Sequence, residues 1–205
     1  LSYTDKNILE DINLDIYQGD FLLITGPNGG GKTSLLRTIL RLQSPTKGRI
    51  SFFRQGEPVS SLDMGYLPQK NSIDSRFPIT VEEVVASGLM GNTQKGNTKF
   101  DSKKEIDEML DLMGITALRN KPIGVLSGGQ LQRSLFGRAL ISKPEMLILD
   151  EPASYIDRQF GNRMFEILRD LSSNGTTIMM VSHEIEPFIT LSNRNLYINH
   201  ILGDR

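Results

Sequence analysis

Cysteine is absent from the 205 residues, and so is tryptophan. Without a thiol there can be no disulfide and no thiolate metal centre, so burial and hydrogen bonding must hold the fold together. No apolar run approaches the roughly 18 residues of a membrane-spanning helix, and no signal-peptide pattern opens the chain. A chain that is soluble by itself, in the cytoplasm, is therefore expected. An excess of either charge is missing too: 23 basic residues face 24 acidic ones, for a formal net charge of -1. That balance gives no broad footprint for nucleic acid, and none is expected as a partner. Heptads and internal repeats are lacking as well. The first residue is Leu1 rather than Met, which leaves open whether a natural start, with a first strand, lies upstream. The length suits one large α/β domain, or one with a small inserted lobe.

What the chain does carry is organised around Gly26-Pro27-Asn28-Gly29-Gly30-Gly31-Lys32-Thr33, directly after the apolar run Phe21-Leu22-Leu23-Ile24-Thr25. The eight residues fit G-x-x-x-x-G-K-[ST], the Walker A phosphate loop. Consecutive glycines allow the backbone to curl until its N–H groups point inward at a phosphate chain. Lys32 is placed to reach the β- and γ-phosphates, and the Thr33 hydroxyl to ligate Mg²⁺. Residues 34–40, opened by Ser34, read as a helix whose N-terminal dipole adds to the anion site.

Along the chain, residues 1–17 read as two short strands, with Ile12, Leu14 and Ile16 in a half-buried antiparallel one. Strands are expected at residues 49–53 and 65–69. From residue 71 to 123 the texture becomes helical. Thr80-Val81-Glu82-Glu83 is a capping box opening one helix, and Ser102-Lys103-Lys104-Glu105 is read as a second. A Gly/Asn/Lys/Thr-rich stretch at 91–98 separates them as a mobile loop. Ser127-Gly128-Gly129-Gln130 opens a further helix. Residues 145–149 and 176–181 are apolar strands, and between them Phe160, Met164, Ile167, Leu168 and Leu171 make one helical face. A short helix and a final strand at 195–199 complete the chain.

Alternating helices and buried strands imply a mostly parallel sheet, with its ligand site at the carboxyl ends of the strands. Gly26, Asp150 and His183 each fall just past such an end. Asp150 suits a carboxylate holding Mg²⁺, because an apolar strand tip is a costly place for a charge without a cation. Glu151, one residue on, is assigned as the base that orients or deprotonates an attacking water. A lone histidine is more often a satisfied polar residue, but at this edge His183 can contact a γ-phosphate and steady the water. Taken singly, Gln69 reads as surface or as a ligand to Mg²⁺ or water, and Ser127-Gly128-Gly129-Gln130 as an N-cap or as a second anion-binding nose.

Together these residues resemble the ATP-binding cassette (ABC) ATPase family, over essentially the whole chain. Leu126-Ser127-Gly128-Gly129-Gln130-Leu131-Gln132-Arg133 is similar to the family signature, residues 146–152 to Walker B with its catalytic Glu151, and Ser154-Tyr155-Ile156-Asp157 to the D-loop. Gln69 matches the Q-loop and His183 the switch histidine. Three departures are seen: Glu184 where Asp commonly follows the histidine, Gly137 where Ala is usual, and Tyr155 in the D-loop. The resemblance implies an α/β P-loop NTPase, with a mostly parallel sheet flanked by helices, a small N-terminal antiparallel β part and a helical insert. Its core would be 1–70 and 141–205, and its helical subdomain 71–140. ATP and Mg²⁺ are the implied cofactors. Tyr3 would stack on adenine, while Gly26, Pro27, Asn28, Gly29, Gly30, Gly31, Lys32, Thr33, Ser34 and Gln69 bind nucleotide. Ser127, Gly128, Gly129 and Gln130 would bind the nucleotide of a second copy. Metal would fall to Thr33, Gln69 and Asp150, and catalysis to Glu151, His183 and Lys32.

In this family two cassettes pair head to tail, so a second copy is the implied partner, beside an integral membrane permease and a substrate-binding protein. The chain would sit on the inner face of the membrane through the permease. Residues 66–89, with Phe77-Pro78-Ile79-Thr80-Val81, are similar to importers of zinc or manganese, and siderophore and cobalamin importers have a related segment. The expected function is the ATP-hydrolysing subunit of a divalent-metal importer. The alternatives are a siderophore- or cobalamin-type importer and a non-transport cassette such as one in iron–sulfur assembly.

Overall fold

The computed structural model describes residues 2–3, 6–69, 78–90, 99–183, 186 and 188–204, those at 2–3, 6–7, 99–101 and 202–204 by backbone alone. Residues 70–77 of the importer-like segment, the 91–98 stretch and Glu184 lie outside the described residues, as does the side chain of Tyr3.

The elements in chain order are β1 (Ser2–Tyr3), β2 (Lys6–Asn7), β3 (Phe21–Thr25), α1 (Lys32–Ile39), β4 (Phe52–Arg54), β5 (Glu57–Val59), β6 (Met64–Leu67), α2 (Val81–Ser87), α3 (Lys99–Leu112), α4 (Gly128–Leu140), β7 (Met146–Asp150), α5 (Arg158–Ser173), β8 (Thr177–Val181), β9 (Arg194–Asn199) and β10 (Ile201–Asp204). Six strands form one sheet in the order β10-β9-β3-β8-β7-β6. All of its pairings are parallel except the β9–β10 hairpin at one edge. β1–β2 and β4–β5 are separate antiparallel hairpins.

β3, β7 and β8 are buried along their whole lengths, as strands covered on both faces must be. Their side chains alternate between two apolar layers. Phe21, Leu23, Leu147, Leu149, Ile178 and Met180 face the layer built by α2, α4 and α5. Leu22, Ile24, Met146, Ile148, Met179 and Val181 face Leu35, Leu36 and Ile39 of α1. Each such side chain taken fully from water contributes about 1.5–3 kcal/mol.

Local chemistry explains most boundaries. The Thr80–Glu83 box forms reciprocally: Glu83 N donates to Thr80 Oγ1 at 3.3 Å and Thr80 N to Glu83 Oε2 at 2.8 Å. The box expected at Ser102 does not open its helix, which is already running at Lys99. Residues 99–101 contain no Gly or Pro, so nothing stops the helix extending toward its N-terminus. Ile12, Leu14 and Ile16 are half-buried with exposed residues between them, as expected, yet among the described residues no strand pairs with them. The period-two burial is met without a ladder. β5 was not legible, being three residues long with a central proline. The short helix expected before the final strand falls partly on residues 184, 185 and 187, outside the described residues; 186 and 188–191 are turns.

α4 is seated by two close backbone approaches. A Cβ on Gly65 of β6 would lie 2.1 Å from the Ala139 carbonyl oxygen, and one on Gly88 would lie 2.2 Å from that of Arg138. Gly65→Ala is expected to push α4 off β6. Such overpacking costs about 1–3 kcal/mol, or roughly 2–12 °C in Tm for a domain of this size. Thermal unfolding checks this, and an unchanged Tm would mean that α4 is free to shift.

Candidate active site

The loop between β3 and α1 is shaped by what lies behind it. Gly26 has a φ of 144°, and a Cβ there would fall 1.9 Å from the Ile198 carbonyl oxygen of β9. No other residue fits that position. His200, between β9 and β10, donates its N–H to Gly30 O at 3.0 Å, and Gly30 N donates to Pro27 O at 3.1 Å. Lys32 is only 7% exposed, and its Nζ donates to Gly26 O at 2.8 Å and to Pro27 O at 3.0 Å. The ammonium thus closes the ring of the loop from inside. Ser34 follows Thr33 in the first turn of α1.

Asp150 ends β7 with the same parity as Met146 and Ile148, so its side chain falls on the face that α1 covers. There Thr33 Oγ1 donates to Asp150 Oδ2 at 2.9 Å. Asp150 is 1% exposed, and its Oδ1 meets no donor among the described residues. Burial pushes its carboxyl above the usual carboxylate range, against the Thr33 hydrogen bond and the nearby Arg37 and Lys32 charges.

Glu151 leaves the strand with a φ of 54°, in the left-handed region that costs a non-glycine residue about 1–3 kcal/mol. Its N–H donates to Val181 O at 2.9 Å, which continues the β7–β8 pairing through the bend. The carboxyl meets His183 twice: His183 N donates to Oε2 at 3.3 Å, and Nε2 lies 3.3 Å from Oε1. Burial raises the Glu151 carboxyl, with the His183 side chain opposing that rise. The imidazole itself is about half exposed, its side chain at 52%. Gln69, exposed, lies two residues beyond Leu67, which pairs with Leu149 of β7. The loop, Asp150, Glu151, His183 and Gln69 therefore gather along the carboxyl ends of four neighbouring strands.

Ser127 caps α4 through a reciprocal box: Gln130 N donates to Ser127 Oγ at 3.3 Å and Ser127 N to Gln130 Oε1 at 3.0 Å. Within this chain, then, Ser127 and Gln130 bond to each other while Gly128 and Gly129 form the first helical positions. α4 also holds contacts that sequence reasoning missed. Gln132 Nε2 donates to Pro152 O at 3.2 Å, Arg133 pairs with Asp157, and the Arg133 guanidinium sits 4.5 Å over the Phe160 ring. The spacing of Gly129, Gln132 and Arg133 (i, i+3, i+4) marks a shared face, but nothing in the sequence says that residues 151–157 lie against it.

The ABC transporter family profile matches residues 9–154. The zinc uptake system ATP-binding protein ZurA of Listeria monocytogenes is 37% identical over 98% of this chain and 78% of its own length. The zinc import ATP-binding protein ZnuC of Haemophilus influenzae is 35% identical over 96% of this chain and 68% of its own. A dimeric ATP-binding cassette, solved in a post-hydrolysis state with ADP and Pi, superposes with a TM-score of 0.82 at 25% identity, covering 96% of this chain and 90% of that one. With that fold, the nucleotide loop at its centre and these relatives, the chain belongs to the ABC transporter family, as one of its ATPase cassettes.

Proposed function

We propose that this chain is the ATP-hydrolysing subunit of a membrane importer whose cargo is a divalent metal ion, and that it works as a pair of copies. The observation that carries the reading is the meeting, at one sheet edge, of the Lys32 loop, the Thr33–Asp150 hydrogen bond and the Glu151–His183 contact. The metal cargo is supported by relatives named as zinc import and zinc uptake ATP-binding proteins.

On ATP binding, Lys32 would exchange the Gly26 and Pro27 carbonyls for phosphate oxygens, while the loop N–H groups and the α1 N-terminus stabilise the remaining charge. Mg²⁺ fits beside them. Asp150 keeps one buried oxygen without a donor and shares the other with the Thr33 hydroxyl. Such a pair offers oxygen ligands of the kind that Mg²⁺ requires. Asp150, Thr33 and the neighbouring Gln69 would hold the ion, which when bound neutralises charge on the transferring phosphoryl group. Glu151, its proton affinity raised by burial, is suited to take the proton of an attacking water, and His183 to hold that carboxyl and the water in place. Tyr3 would cover the adenine.

One chain presents one phosphate loop and one α4 N-terminus carrying Ser127, Gly128, Gly129 and Gln130. Two chains head to tail would complete two sites, each with the loop of one copy and the α4 N-terminus of the other, as the dimeric neighbour with ADP and Pi supports. The division into a core (1–70 and 141–205) and a helical part (71–140) goes with this, since loop and signature then sit on different units. Among the described residues no helix is long and apolar enough to cross a membrane. A permease would supply the span, with a substrate-binding protein delivering cargo, and would dock this cassette at the cytoplasmic face beside Gln69.

Glu151→Gln is expected to keep ATP affinity, lose at least about 100-fold in turnover and accumulate as an ATP-held pair in size-exclusion chromatography. Rapid turnover in that variant would remove Glu151 as the base. Ser127→Arg should bind ATP as a single copy yet fail to pair; pairing at the same ATP concentration as the parent chain would defeat the shared site. Asp150 gives a pH test. Its carboxyl is held above the unfolded value of about 3.9, so the nucleotide-free fold binds that proton more tightly than the unfolded chain does. The ionised form therefore costs stability at pH 7, and the cost disappears as pH falls through the raised value toward the unfolded one. Asp150→Asn should melt no lower than the parent at pH 7 without nucleotide, with the gap closing toward acid, while Mg²⁺-dependent turnover collapses. An Asn variant melting well below the parent at pH 7 would contradict the buried charge.

A further inference from the structure

Glu151 rides on a turn strained at both ends: its own φ is 54°, and that of Tyr155 is 69°. Left-handed backbone at two non-glycine residues persists only where surrounding contacts over-determine it. One set of contacts comes from β8, through Glu151 N to Val181 O. The other comes from α4. Gly129 passes so close that a Cβ there would lie 2.8 Å from Tyr155 O, Arg133 pairs with Asp157 at the far end, and Gln132 Nε2 donates to Pro152 O at 3.2 Å. Pro152 directly follows Glu151, and its ring removes one backbone freedom from the turn.

Gln132 stands out among these. It is 1% exposed, and its Oε1 meets no donor among the described residues. A buried amide used on one side only carries an uncompensated desolvation cost on the other. We propose that Gln132 is a positioning residue for the reaction: its amide holds the Pro152 carbonyl, and so sets the turn that presents the Glu151 carboxyl to His183. The contact also joins the helix that carries Ser127 to the turn that carries Glu151 in the same chain. Movement of the signature helix then reaches the base through one hydrogen bond. This rests on the reading of Glu151 as the base.

The test uses the full chain with Mg²⁺-ATP and two variants. Gln132→Met keeps the volume and removes the donor. It is expected to lower kcat about tenfold with KM within about twofold, kcat being taken per folded molecule because the Pro152 carbonyl loses its donor. Gln132→Glu separates the donor from the shape. As a carboxylate it cannot donate to Pro152 O, and when protonated it can. Burial raises a carboxyl at this position. The variant's kcat, relative to the parent at each pH, should therefore fall toward that of Gln132→Met as rising pH ionises the carboxyl and recover toward acid, where Gln132→Met stays low. A parental kcat in Gln132→Met, or a loss seen only as lowered Tm with kcat per folded molecule unchanged, would overturn the proposal. Parallel pH profiles for the two variants would do the same. Glu151→Gln is run alongside. Should it keep its turnover, the base assignment fails and the proposal falls with it; should it be inactive while Gln132→Met is normal, the positioning role alone is wrong.

Discussion

The register of three parallel strands is the constraint on which the rest depends. Ile24 of β3 pairs with Val181 of β8, and Val181 pairs in turn with Asp150 of β7. Because side chains alternate across a sheet, this register decides which acid faces α1 and the loop. A slip of one residue in β7 would turn Asp150 toward the α4 layer, where Leu147 and Leu149 now lie, and would leave Thr33 without its acceptor. Two apolar layers oppose such a slip, since each strand would exchange every buried side chain from one layer to the other.

On that frame the site is built from side chains at odds with stability. Asp150 carries a buried carboxyl with one oxygen unmet, and Glu151 combines positive φ with a carboxyl raised by burial. Lys32 is sealed inside its own loop. Each of these is a state that a charged ligand would relieve. In the proposed reading, triphosphate with its cation would supply the missing partners together, and that differential interaction would favour the ordered site.

The second organising feature is α4. Gly65 and Gly88 allow its backbone to approach β6 and the end of α2, and its Gly129–Gln132–Arg133 face lies on the turn after β7. Phe136 extends that face edge-on to Phe160, their centroids 6.5 Å apart. The helix that opens with Ser127 is therefore packed against the turn of Glu151, not merely attached to the same chain. Coupling between the two needs no long pathway, because the contacts are direct.

Much of this was written in local sequence. The apolar runs of β3, β7 and β8 marked buried strands, the glycine loop marked an anion site, and Thr80 and Ser127 marked helix starts, because each signal rests on neighbours within a few residues. Placement of Gly26, Asp150 and His183 on one edge followed from strand alternation alone. Tertiary structure decided the remainder. The period-two segment at Ile12–Ile16 found burial but, among the described residues, no ladder, Ser102 fell inside a helix that propagated past it, and a three-residue strand formed only because β4 lay beside it. Ile198 and His200 as the backing of the phosphate loop, and Gln132 as the hold on Pro152, had no local signature. These are contacts between segments distant along the chain, and a contact of that kind exists only once the sheet order has brought the segments together.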